Sequence, residues 1–276
     1  MGNPLTLDEC IARLSRYHAF GGALSPTAVQ FEYASATDDQ LVRLRSSYGI
    51  QPAERDADVL EQALDTMSWV FSRFQLTGSS VDMPATNALD ILARSGEGAF
   101  YCSHKAVVLN EMLLARGLHS RVITCIPQHF DMDRHVAVIV FLAAQRRWVF
   151  LDPTFNTYFH GGSTRALGPI EIREAYRGGT CPGFSEIPID KTWRLVLDGQ
   201  EYESYHDWYR TYMAKNCFRF SCPAVSAFGS YGSSETQMVF LNPMGYRERN
   251  EYDGVGVRSK DSAYTHSASE FLGPPV

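Results

Sequence analysis

The chain has 276 residues, of which 45% are hydrophobic and 20% charged, and its net charge is −6. That length suits one large domain or a compact domain with an appended piece, and the composition is that of a globular protein. The acidic balance speaks against a nucleic-acid partner, which selects for a basic excess, and no apolar run approaches the roughly 20 residues of a membrane span.

The first segment, from Met1 to Cys10, has neither a basic n-region nor an apolar h-region, so it does not read as a secretory signal. Gly2 with Thr6 is too little for a myristoylation site. Thr6 and Glu9 instead form a capping-box pattern ahead of Ile11, Leu14 and Tyr17 or His18 at helical spacing, which predicts a first helix. A break follows at Phe20 to Pro26, then a strand near Val29 to Tyr33 and a short helix near Gln40 to Ser46. From about Asp56 to Gln75, residues Leu60, Ala63, Leu64, Met67, Val70, Phe71 and Phe74 fall on one stripe, which predicts a helix ended by Gly78. Pro84 to Ser95 reads as another helix, with proline near its start and Gly96 at its stop.

A glycine-bearing approach, Gly96 to Tyr101, leads to Cys102, which opens a helix-patterned run to Arg116 with Gly117 as terminator. Cys102, Ala106, Leu109 and Leu113 share one face, so the thiol points inward. Ser120 to Ile126 reads as a strand, and Pro127 to Arg134 as a polar loop. His135 to Leu142 reads as a strand apolar on both faces, hence central, and Arg147 to Asp152 as its successor. Pro169 to Arg177 and Tyr205 to Lys215 are predicted helices, Thr236 to Leu241 a strand, and the polar end from Tyr246 a loose tail or a lid. The order implies an α+β fold in which the helix bearing the cysteine packs on an antiparallel sheet bearing His135 and Asp152. The partition read from the chain is an N-terminal helical region at 1–83, a core at 84–160 and a C-terminal extension at 161–276, together one structural domain.

Each of three positions suits a chemical task. A thiol at a helix N-terminus sits among free N–H groups and the positive end of the helix dipole, which favour thiolate. A base and the group that orients it belong side by side on rigid backbone. Pairing His135 directly with Asp152 in a hairpin leaves Leu142 to Gln145 as a four-residue loop, an ordinary length, and brings the two Cβ atoms to about 5 Å. A slip of one residue would send one of them to the opposite face. The blander reading of each residue alone is a buried thiol, a strand-edge histidine and an aspartate in an Asp-Pro turn.

The stretch from Gly96 to Asn156 resembles the transglutaminase-like superfamily of papain-related cysteine enzymes. The resemblance lies in the glycine-rich approach to Cys102 and in Leu113-Leu-Ala-Arg-Gly-Leu-His-Ser-Arg-Val122. It continues in His135-Val-Ala-Val138 and Trp148-Val-Phe-Leu-Asp-Pro-Thr154. It implies a papain-like core with Cys102, His135 and Asp152 as catalytic residues, and acyl transfer through a thioester on Cys102 that forms or hydrolyses an amide. The family holds protein cross-linkers, peptidases, peptide N-glycanases and amide-forming enzymes. Ser103 and Val136 depart from it, standing where an aromatic or acidic residue and an aromatic are frequent. The backbone N–H of Cys102 is one expected oxyanion donor, with Trp69 or Gln75 as candidates for another.

The six cysteines (10, 102, 125, 181, 217, 222) are widely spread, which favours reduced thiols and a cytoplasmic location. His104 and His129 near Cys102 or His135, and Cys217-x4-Cys222 without a second pair, lack zinc-ligand spacing, so no metal is expected. Gly229-Ser-Tyr-Gly232 is no nucleophile elbow, no phosphate-binding glycine loop is present, and no cofactor is expected. The expected partner is a small-molecule, peptide or carrier-bound acyl substrate, with net charge slightly favouring a neutral or cationic one, and with no nucleic acid and no membrane. The sequence leaves the oligomeric state open. It also leaves open a thioester-dependent N-acyltransferase, as among arylamine N-acetyltransferases, and a non-catalytic binding module on the same fold.

Overall fold

The structure, a computed structural model, describes residues 5–17, 19–21, 30–54, 58–74, 80–128, 134–162, 165–188, 195–197, 200–202, 204–246 and 262–275. In chain order these form α1 (Leu7–Ser15), β1 (Glu32–Tyr33), α2 (Asp39–Tyr48), α3 (Val59–Arg73), α4 (Ala88–Ala93), α5 (Cys102–Ala115), β2 (Ser120–Ile126), β3 (His135–Leu142) and β4 (Arg147–Leu151). There follow β5 (Phe159–His160), α6 (Pro169–Arg177), β6 (Gly183–Phe184), β7 (Leu195–Leu197), β8 (Gln200–Tyr202), α7 (Tyr205–Asn216), β9 (Arg219–Pro223), β10 (Val225–Ser226), β11 (Met238–Leu241), β12 (Ala263–Thr265) and α8 (Ala268–Phe271).

A six-stranded sheet of order β12-β11-β9-β2-β3-β4 organises the molecule. It is antiparallel except for the parallel β11–β12 pair. Side chains alternate across it. Val122, Val136, Val138, Val140, Val149 and Leu151 face α5, which α2, α3 and α4 cover in turn. Ile123, Cys125, Ala137, Ile139, Trp148 and Phe150 face the opposite layer, in which Tyr209 and Met213 of α7 and Ile172 and Tyr176 of α6 pack. With layers on both sides, β3 is apolar on both faces, as its sequence implies. The fold is thus α+β, with α5 packed on one face of a mostly antiparallel sheet, as the sequence implies.

Local signals account for most helix ends. The Thr6–Glu9 capping box is present, Asp38 and Asp58 accept backbone N–H groups at the starts of α2 and α3, and Gly117 closes α5 at φ +87°, a conformation costly for other residues. The predicted helix over Pro84 to Ser95 is shorter. The Asn87 side chain accepts from the Asp90 N–H and starts α4 at Ala88, while Arg94 ends it. A second difference is α5 itself, buried on all sides from His104 to Ala115 rather than on one stripe.

The C-terminal segment contributes to the central sheet rather than trailing from it. β9 pairs with β2, and the end of the chain is fastened by Arg121, whose Nη1 and Nη2 donate to the carbonyls of Phe271 (2.7 Å) and Gly273 (3.1 Å). Its guanidinium lies 3.8 Å from the Phe31 ring centroid and 4.2 Å from that of Trp148. Such pairing makes a buried cation tolerable. The stretch read as a loose tail or lid is therefore strand and helix over 263–271. Residues 247–261 lie outside the described ones.

Candidate active site

Cys102 begins α5 and is half-buried. No side chain caps this helix, so its first-turn N–H groups have no side-chain acceptor and their partial positive charge bears on the sulfur. The thiol lies within reach of the His135 imidazole and the backbone N–H of Val136, which both favour its ionised form. Cys102 belongs to the α5 layer, whereas His135 belongs to the α7 face of the sheet. They meet where β3 begins, because only at a strand end can a side chain from one face reach the other.

His135 Nε2 lies 2.6 Å from Asp152 Oδ2, and the two residues are 1% and 0% exposed. With Nε2 taken by the carboxylate, Nδ1 is the ring nitrogen available to the thiol. The hairpin register differs from direct opposition. Val138 pairs with Leu151 and Leu142 with Arg147, which sets Asp152 opposite Ala137, diagonal to His135. The loop accordingly runs through Ala143–Gln145 to Arg146, which takes a left-handed φ of +50° and turns the chain. A two-residue shift preserves the face of every side chain, so the diagonal pair still meets.

Two residues that the sequence did not single out complete this arrangement. Tyr209 of α7 is fully buried, and its hydroxyl donates to Asp152 Oδ2 at 2.8 Å. The Thr154 N–H donates to Oδ1 at 2.9 Å. Asp152 therefore receives bonds from His135, Tyr209 and Thr154. Tyr212, one turn beyond Tyr209, sets its ring edge-on to His135 at 5.4 Å, and Phe155 lies 5.9 Å from the same imidazole. The aromatic periodicity of Trp208, Tyr209 and Tyr212 was the available signal, but it does not say which carboxylate a tyrosine meets.

The electrostatics follow from this packing. Burial works against the imidazolium of His135, but the Asp152 charge and hydrogen bond, with those of Cys102, outweigh it and raise the pKa to about 10. Burial pushes the Cys102 thiol up. The hydrogen bond and charge of His135 and the Val136 N–H outweigh that and bring the pKa below its usual range. Both directions favour a thiolate–imidazolium pair.

Other residues weighed from the sequence lie elsewhere. Trp69 stacks under Arg73, 4.2 Å from its guanidinium, and meets the edge of Tyr48. Gln75 and His129 fall outside the described residues. His104 points away from the thiol and bonds through Nε2 to the Met83 carbonyl at 2.9 Å. Cys217 lies beside Cys125, and Cys222 beside Arg121, so the Cys217-x4-Cys222 pair does not converge. Among the described residues no three His, Cys, Asp or Glu side chains gather as metal ligands, and no helix is long and apolar enough to cross a membrane.

Residues 48–153 match the model of the transglutaminase-like superfamily, and this interval contains Cys102, His135 and Asp152. Over that interval the chain is similar to a transglutaminase-like core. The family match supports a cysteine-dependent enzyme of the papain-like type. A crystal structure of a candidate cysteine protease from Cytophaga hutchinsonii is similar at 17% identity with a TM-score of 0.31; the match spans 52% of this chain and 42% of that one. No curated protein matches the sequence.

Proposed function

We propose that the transglutaminase-like core is a cysteine-dependent acyl-transfer enzyme with Cys102 as nucleophile, His135 as general acid and base, and Asp152 as the group that orients His135. The observation that carries this reading is the His135–Asp152 hydrogen bond beside the Cys102 thiol at a helix N-terminus, with the thiol acidified and the imidazole made more basic.

In this mechanism the Cys102 thiolate adds to the carbonyl carbon of an amide, ester or thioester. The carbonyl oxygen becomes an oxyanion beside the Cys102 N–H. Imidazolium at His135 protonates the departing amine, alcohol or thiol as the carbon–heteroatom bond breaks, leaving a thioester on Cys102. Neutral His135 then takes a proton from water or an amine, which attacks the thioester and releases Cys102. Asp152 holds the ring in one orientation and stabilises its charge at both stages. Residues 84–160 supply the reacting groups, and the C-terminal segment, through α7, serves as the wall behind them. Reduced thiols of this kind fit a cytoplasmic location.

The test is intact-protein mass spectrometry after incubation with candidate amides, esters and thioesters, followed by hydroxylamine. An acyl adduct that hydroxylamine removes and that Cys102→Ala abolishes is the expected result. Alkylation of Cys102 by iodoacetamide should remain fast well below pH 8.5, and acyl turnover should fall as pH rises towards about 10, where His135 loses the proton it gives to the leaving group. Alkylation that follows an ordinary thiol, with no adduct from any donor, would leave a binding module on this fold.

A further inference from the structure

The helix that presents the nucleophile also carries a charge for which the reaction above has no use. Lys105 follows Cys102 by three residues, so the two side chains are neighbours on one side of α5. Its side chain is buried, at 4% exposure. The enclosed part is its four-carbon stem, while Nζ keeps contact with water. No carboxylate, carbonyl or hydroxyl among the described residues accepts a hydrogen bond from Lys105 Nζ, so water alone meets its donors. Burial lowers its pKa, and the charges that act in the opposite direction are those of Asp152 and then Cys102.

Asp152 does not serve as the missing acceptor, since its oxygens already receive His135, Tyr209 and Thr154. Nor is the thiolate in need of a second cation, because His135 balances it. The four charges of the cluster, two negative and two positive, cancel, and the Lys105 ammonium, on the same side of α5 as the sulfur, can exchange its water for an incoming anion. What fits such a place is an anion that arrives with the substrate.

We infer that Lys105 anchors the substrate: its ammonium binds a carboxylate carried by the acyl donor, close to the carbonyl that Cys102 attacks. The inference rests on the reading of Cys102 as nucleophile and names the substrate class of that site, a carboxylate-bearing amide, ester or thioester. The local field thereby opposes the chain's overall negative charge, which by itself favours a neutral or cationic partner.

Iodoacetate and iodoacetamide test it, because both alkylate the thiolate with loss of iodide and differ by one carboxylate. The ratio of their rates at Cys102 is measured near pH 7 in the wild-type protein, in Lys105→Met and in Lys105→Arg. The ratio should fall about tenfold in Lys105→Met and largely survive in Lys105→Arg, as expected for one close charge pair at a partly screened site. An unchanged ratio in Lys105→Met overturns the assignment. Should that variant not fold, the wild-type protein decides. Propionate should slow alkylation by iodoacetamide while propionamide does not, and equal or absent protection overturns the assignment. Slow wild-type alkylation by both reagents, rising with an ordinary thiol pKa, would overturn the underlying nucleophile reading instead.

Discussion

The two faces of the central sheet contribute to the site in different ways. The α5 face delivers one atom of the proposed site, the Cys102 sulfur, from the start of a helix that is continuous in sequence and buried from His104 onward. The α7 face delivers an arrangement. His135, Asp152, Phe155, Tyr209 and Tyr212 come from separate parts of the chain and fix one another through hydrogen bonds and ring contacts. A nucleophile needs only a position and a field, which a helix terminus supplies. A base needs a held orientation, and that takes a packed layer.

This contrast can be broken most sharply at Asp152. In Asp152→Asn the charge that raises the His135 pKa is gone, so the imidazolium no longer holds the thiolate. Iodoacetamide alkylation of Cys102 at pH 6 should slow by about a hundredfold, because the thiol returns towards an ordinary pKa. A rate within twofold of wild type would mean that the helix terminus alone ionises Cys102, and the two faces would then be independent.

Tyr209→Phe asks how much of the orientation comes from α7. It removes one hydroxyl from Asp152 and keeps the ring packing against Phe155 and Phe159. The expected outcome is a fall in kcat of about tenfold at unchanged KM, with about 1–2 kcal/mol lost in denaturant titration. Equal falls in stability with no change in kcat would assign Tyr209 to packing alone.

The smallest effect lies on the α5 face. Glu111 is 1% exposed and accepts from the N–H groups of Ala88 (2.7 Å) and Gly229 (2.9 Å), linking the start of α4 to the turn after β10. Burial raises its pKa from the usual 4.5 to about 8. The folded state therefore binds this proton more tightly than the unfolded chain, so the stability it contributes is fully present below pH 4.5 and is lost as pH rises through about 8. Midpoint denaturant concentrations should decline over that window in the wild type and flatten in Glu111→Gln. An undiminished decline in Glu111→Gln would place the titration at another buried group.

The register of the β3–β4 hairpin shows what could be read in advance. The alternation of Val138, Val140, Val149 and Leu151 against Ala137, Ile139, Trp148 and Phe150 encodes which face each side chain takes. It therefore encodes that His135 and Asp152 share one. It does not encode where the chain turns. Arg146 accepts the left-handed conformation without an Asn-Gly signal, and the pairing sits two residues from direct opposition. The boundaries of α6 and β2 were legible because caps, proline and glycine act within a few residues. The shorter α4 was misread because Asn87 competes for the Asp90 N–H after Pro84 has already hinted at a start.

By itself the sequence determined the order of elements, the two-sided burial of β3, and the placement of a thiol, an imidazole and a carboxylate at element ends suited to their chemistry. All of these follow from periodicity and capping, which are local. Tertiary structure alone decided that β9, β11 and β12 extend the same sheet. It alone brought Tyr209 to Asp152 across 57 residues and left the Lys105 ammonium, among the described residues, without a protein acceptor. These are contacts between distant segments, fixed only when two packed layers close on the sheet, and no short-range pattern records them.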